Sequence, residues 1–274
     1  MSKGFQFHIR SVFPSDLIAV LEVLKSYPGL NSKKIPLKAT EMGLEIRNKV
    51  KLECLETAKD LGLINKENTL SPEGFQLLQI CQVQPNLFPE IVHFLYFNLW
   101  TELEKSKNCF SWTYQQVCEI LWSTPSSNID PKTLASEIYW RARAFSGKDT
   151  LSISAKSVNG ALHWLEALNP PVIKKHKKEK TFSRRTFCPP ELLILAIDRI
   201  YRVNNIPYGV GMILSSSNRE VLCKITLIEP TYLDRVLQYA FQQFKFLTMS
   251  IEGGWGERLI LSRRPKLDDL VPLQ

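Results

Sequence analysis

Apolar residues recur at helical spacing through most of the chain. Leu17, Ile18, Leu21 and Leu24 mark a first helix, with Ser15 as its cap and Pro28-Gly29 as its stop. Ile35-Pro36 opens a short second helix that runs to Gly43, with the proline in its first turn. The spacing of Val50, Cys54, Leu55, Ala58 and Leu61 predicts a third helix from Asn48 to Leu61, stopped by Gly62. Leu63-Ile64, a polar run and Thr69-Leu70 read as a tiny strand-turn-strand, and Ser71-Pro72 starts a fourth helix.

The order then recurs. An apolar helix over 90–105 leads to a helix from Phe110 to Trp122. Asp130 caps a third, with Pro131 in first position, that reaches Phe145. Ser154 caps a fourth, carrying Val158, Ala161, Leu162, Leu165 and Leu168, and Asn169-Pro170-Pro171 stops it. A last group starts with a helix from Glu191 to Val203 and passes an ambiguous stretch near 218–227. Its clearest helix, Tyr232 to Phe246, has Leu233, Val236, Leu237, Ala240, Phe241 and Phe244 in step. Strands over 246–251 and 258–263 then flank a glycine-rich loop, and the tail from Asp268 is expected to fray. The expected fold class is mainly α with small β-hairpins, arranged as tandem winged-helix units over 1–85, 86–188 and 189–274. The recurrence is one of pattern, and one continuous helical domain would also produce it.

Composition narrows the class. Of 274 residues, 44 % are apolar, enough for a sizeable core. No apolar run approaches the roughly 20 residues that span a bilayer. MSKGFQFHIR lacks the apolar stretch of a signal peptide, and six scattered cysteines do not suggest a disulfide scaffold. A soluble, cytoplasmic protein is expected. The net charge of +8 is concentrated: Val172–Phe187 holds Lys174, Lys175, Lys177, Lys178, Lys180, Arg184 and Arg185 against the single acid Glu179. The remainder of the chain is close to neutral.

Catalytic motifs are absent. There is no zinc-spaced Cys/His cluster, no HExxH and no phosphate-binding loop, and Gly209-Val210-Gly211 reads as a turn. Asp130-Pro131-Lys132 is spaced as in some nuclease sites, but a helix N-cap explains this aspartate more simply. No catalytic residue, metal or cofactor is expected.

The candidate chemistry is therefore binding. The basic run lies where a wing would follow its helix, and each phosphate it neutralises would release counterions. Its alternative is a solvated linker. Lys156, Ser157 and Asn159 stand at the start of the preceding helix, where side chains could meet base edges. Arg47, Asn48, Lys49 and Lys51 crowd the start of the third helix, with Arg47 and Lys51 sharing a face. Arg258 and Arg263 flank the loop that carries Trp255. His163 and Trp164 read as packing or rim residues, and the aromatic stretch Phe94–Trp122 as core and inter-unit contacts.

Three stretches, LETAKDLGLIN…TLSPEG, PEIVHFLYFNLW and LTMSIEGGWGERLILSRR, give the chain a layout that resembles a bacterial winged-helix family. That family is found with phosphorothioate DNA-modification and phage-defence systems. EIRNKVK stands where the family has a basic, glycine-containing approach to its third helix. The resemblance implies double-stranded DNA binding, or an accessory role in a DNA-processing complex, and no catalytic residues. The expectation is a non-enzymatic, nucleoid-associated DNA-binding protein. The rival is an assembly subunit whose winged helices dock protein partners, and RNA is a third candidate ligand.

Overall fold

Helix α1 (Pro14–Ser26) starts at its proline, whose fixed φ suits a first helical position, so Phe13 and not Ser15 precedes it. The computed structural model describes residues 5–47, 52–124, 128–177, 179–252 and 256–270. A one-turn helix at Ser32–Lys34 leads into α2 (Ile35–Glu41). Helix α3 (Glu53–Asp60) is shorter than expected: Leu52 adopts φ 42°, a left-handed conformation that a helix cannot run through. Arg47 therefore lies outside α3, and Lys51, with which it was expected to share a face, lies outside the described residues. Ile64 bridges Leu70, and α4 (Pro72–Val83) is capped by Ser71, whose hydroxyl accepts from the Gly74 N–H at 3.0 Å.

The apolar helix α5 (Leu87–Asn98) stops well before 105. Helix α6 (Cys109–Ser123) is followed by Asn128, which bridges Thr181. Helix α7 (Pro131–Ser146) begins as expected: the Asp130 carboxylate accepts from the N–H groups of Lys132 and Thr133 at 3.2 and 3.1 Å. Both carboxylate oxygens thus take part in the cap, the role the sequence suggested for this aspartate. Gly147, at φ +66°, ends the helix. Helix α8 (Ala155–Glu166) follows Ser154, whose side chain makes no capping bond. Strands β1 (Ile173–His176) and β2 (Glu179–Phe182) form an antiparallel hairpin with Lys174 opposite Thr181 and His176 opposite Glu179.

The remaining elements are α9 (Pro190–Val203), β3 (Gly211–Ile213), α10 (Ser216–Thr226), α11 (Leu233–Gln243), β4 (Leu247–Glu252) and β5 (Gly256–Leu261). The three strands form an antiparallel sheet in the order β3-β5-β4. The ambiguous stretch near 218–227 is thus a helix, started by Ser215, whose hydroxyl accepts from the Asn218 N–H. Its Leu222, Cys223 and Ile225 are buried. Gly209 makes the expected turn, at φ +88°, but Gly211 enters a strand that was not expected. Residues 271–274 of the tail lie outside the described residues, but its first part, 268–270, is ordered in a one-turn helix over Leu267–Leu270. Asp269 binds Arg263 through two bonds of 2.7 Å, and Leu270 is buried.

The core is continuous along the chain and rich in the expected aromatics. Tyr96, Phe110, Trp112, Tyr114 and Trp122 are buried, and Tyr96 stacks on Tyr114 with centroids 5.0 Å apart. Phe7, from the segment before α1, packs edge-on against Trp112 at 5.5 Å. Among the described residues no helix is long and apolar enough to cross a membrane. The chain is mainly helical, with small antiparallel sheets.

Candidate nucleic-acid interface

The hairpin β1–β2 is anchored at its base and open at its tip. Ile173 and Phe182 face each other and are buried, while Lys174, Lys175, His176 and Lys177 are exposed. The backbone N–H of Ile129 donates to the Lys180 carbonyl at 2.7 Å, beside the Asn128–Thr181 bridge at the hairpin's edge. Lys177 turns the tip at φ 55°. No carboxylate pairs with Lys174, Lys175 or Lys177 among the described residues, and Glu179, opposite His176, is the hairpin's single acid. Lys178 lies outside the described residues, as do Asn48, Lys49, Lys51 and Trp255.

Below the tip the basic run serves the fold. Lys180 pairs with Glu166 at 2.6 Å. Arg184 lies 4.0 Å from the centre of the Trp122 ring, donates to the Trp122 carbonyl at 2.9 Å and meets Glu229 at 3.4 Å. Arg185 is fully buried and corrects the expectation outright. Its two terminal nitrogens donate to the two oxygens of Glu90 at 2.8 and 2.9 Å, and its Nε donates to the Thr226 carbonyl at 2.8 Å. Burial works against the Arg185 charge, but Glu90 more than restores it. Glu90 also accepts from the Asn169 N–H at 2.9 Å, so one carboxylate joins α5, the end of α8 and the exit of the hairpin. Breaking such a buried pair from one side costs about 3–5 kcal/mol.

The other expected contacts are covered or paired. Ser157 is buried, with its hydroxyl 2.7 Å from His8 Nδ1, and cannot reach a base. Lys156 pairs with Glu53 at 2.6 Å, and Asn159 is half-buried. Gly160 explains the geometry: a Cβ there would stand 2.7 Å from the Arg10 carbonyl oxygen. Segment 5–13 is therefore laid directly on α8. His163 stacks on Phe13 with centroids 4.2 Å apart, which makes it a packing residue as expected. Arg47 is exposed but lies flat on Phe13, 3.9 Å from the ring centre. Arg263 is held by Asp269, and the aliphatic part of Arg258 packs on Gly211.

An exposed polar face on α11 carries no signal that composition or charge would single out. Leu233, Val236, Leu237 and Ala240 are buried on one side. Arg235, Gln238, Tyr239 and Gln242 are exposed on the other, at i, i+3, i+4 and i+7. Arg235 reaches the Tyr239 hydroxyl at 3.4 Å. Phe187 meets the Tyr239 ring with centroids 6.1 Å apart, and an open groove of about 710 Å³ runs between Thr186–Pro190 and this face. The chain leaving the hairpin pairs with the α10–α11 connection on the way: the Arg185 N–H donates to the Leu227 carbonyl at 3.0 Å, and the Glu229 N–H to the Arg185 carbonyl at 2.8 Å. The nine peptide steps from Lys177 to Thr186 can span at most about 30 Å. A separate signal, the surplus of polar residues on the outer face of the chain's most regular helix, could have found α11 in the sequence.

All six cysteines are buried and unpaired, and burial pushes Cys54, Cys188 and Cys223 up to about 12. No group of His, Cys, Asp or Glu among the described residues could hold a metal ion. Comparison with family models, curated proteins and solved structures finds no match for this chain.

Proposed function

We propose that this chain is a non-enzymatic double-stranded DNA-binding protein built from tandem winged-helix units, acting as an accessory or regulatory factor in a DNA-processing or defence system. The observation that carries the reading is the lysine tip of the β1–β2 hairpin, exposed and with Lys174, Lys175 and Lys177 paired to no carboxylate among the described residues, on the same stretch of chain that runs to the open face of α11. Two units repeat one order: helix, short strand, helix, helix, hairpin, with the first strand paired to the last. The first of these is α6, the Asn128 bridge, α7, α8 and β1–β2. The second is α9, β3, α10, α11 and β4–β5. In such units the third helix enters the major groove and the hairpin touches phosphate.

The two units divide the work. The α8 face is covered by segment 5–13, which leaves its hairpin to bind phosphate without base choice. The α11 face is open and supplies selection: Arg235 suits the O6/N7 edge of guanine, and Gln238 and Gln242 suit adenine. A separation of at most about 30 Å between hairpin tip and groove is within the ~34 Å turn of a duplex, so one site can engage both.

The assembly-subunit reading draws on Trp140, which is 59 % exposed on α7 beside a hollow of about 430 Å³. A competition assay separates the readings. Duplex DNA should displace a labelled duplex at near-physiological salt far better than equal lengths of single-stranded DNA or RNA. Protein that ignores all three, and is pulled down with a stable partner lost on Trp140→Ala, would overturn the DNA reading in favour of the assembly subunit.

A further inference from the structure

Arginine cannot shed its proton in a protein, so a guanidinium taken out of water must meet an anion or be left at a cost. Arg10, Arg184, Arg185, Arg202 and Arg219 each meet a carboxylate. Arg199, on α9, meets none among the described residues. It is half-buried, its guanidinium lies 5.4 Å from the centre of the Phe97 ring, and its buried Nε has no hydrogen-bond partner. Burial and the neighbouring Arg202 both work against its charge.

Arg199 faces a cavity of about 200 Å³ between α5–α6 and α9–α10, with Phe97 and Cys118 among its apolar lining. Lys224 stands in the same wall, held at 2.9 Å by Glu220 one turn back on α10. The one acid in the lining, Glu119 on α6, accepts from the Gln116 amide at 3.3 Å and lies 3.9 Å from Arg141. One Gln115 N–H is already given to the Phe97 carbonyl at 2.6 Å. The cavity thus has an apolar floor, an uncompensated planar cation and a second cation on one wall. Its volume equals several waters of about 30 Å³ each, the scale of a short carboxylic acid or a phosphate group.

We infer that this cavity binds the oxyanion group of a small molecule, a carboxylate or a phosphate, with Arg199 as the forked donor and Lys224 as the second charge. A guanidinium fork matches both groups with two parallel bonds, and the Phe97 face keeps it aligned. The site lies where α6 of one unit meets α9 and α10 of the next, so its occupant would sit at the joint between them. The inference does not depend on DNA binding, and its test uses none.

The test is calorimetric titration and thermal unfolding at low ionic strength, with inorganic phosphate and succinate as probes and chloride at matched ionic strength as the control. The expected result is a saturable rise in Tm with one or both probes; phosphate alone identifies a phosphate site, and succinate alone a carboxylate site. Arg199→Leu should weaken binding at least tenfold while leaving the anion-free Tm unchanged or higher, because an unpaired half-buried charge is removed. A merely structural arginine would instead lower that Tm. Should the leucine variant fail to fold, Arg199→Lys and Lys224→Gln decide, and each should weaken the probe severalfold. No saturable response beyond chloride, or an unchanged affinity in these variants, would overturn the site.

Discussion

His93 lies on α5 one turn from Glu90 and shows how the joint is tuned at the level of single groups. A carbonyl can only accept, so Nε2 carries the hydrogen that binds the Ile225 carbonyl at 2.7 Å. Nδ1, 2.8 Å from the Tyr114 hydroxyl, is then free to accept from it. Burial depresses the ring's pKa from 6.5 to about 4. Below 6.5 the unfolded chain binds a proton that the folded one refuses, so stability falls as pH drops from 6.5 towards 4. Between pH 7 and pH 5 this one group should cost about 2 kcal/mol. Urea unfolding at the two pH values checks it: His93→Gln, less stable throughout, should lose about 2 kcal/mol less between them than the parent. Equal losses would show that His93 is not held neutral. None of this was legible locally. His93 looks like any histidine on an apolar helix, and Arg185 looks like its basic neighbours. Their partners lie 132 and 95 residues away, beyond the reach of any local pattern.

At the scale of elements, sequence periodicity located most helices, because an amphipathic stripe reports which face is buried. It could not say which exposed face is later covered. Helix α8 has the polar first turn of a reading helix, yet segment 5–13 lies across it and turns Ser157 into a packing residue. The only local sign is Gly160, whose missing side chain admits the Arg10 backbone. Gly160→Ala should therefore destabilise the protein by about 1–3 kcal/mol, as overpacking does. It should also speed amide exchange along 5–12. Unchanged stability and exchange would mean that the segment is not seated there. The α3 boundary failed for a different reason. A left-handed Leu52 interrupts an apolar stripe that is otherwise continuous, and leucine gives no warning of that conformation. The hairpin at 173–182 was legible because charge density and its place after a stopped helix coincided. The open face of α11 was not singled out, since its polar residues carry no excess charge.

Across the whole molecule, the formal +8 resolves into charges that are spent on the fold and charges that remain. Lys156, Lys180, Arg184, Arg185 and Arg263 are held by carboxylates of the chain itself, and the pairs of Lys156, Arg184 and Arg185 draw together elements far apart in sequence. Lys174, Lys175 and Lys177 are the remainder on the described hairpin. The groove beside α11 continues from the segment that leaves that hairpin, and buried Arg185 fixes its course. The account therefore predicts two kinds of contact with different signatures: salt-sensitive ones from the hairpin and sequence-sensitive ones from α11. The most direct measurement is the salt dependence of duplex binding by the parent and by the triple variant Lys174→Ala, Lys175→Ala, Lys177→Ala. Each phosphate contact contributes about 0.9 to the log–log slope, so the variant should bind all sequences more weakly, with a slope shallower by about 2.7. Folded triple variant that binds duplex DNA with the parent's affinity and slope would contradict the account.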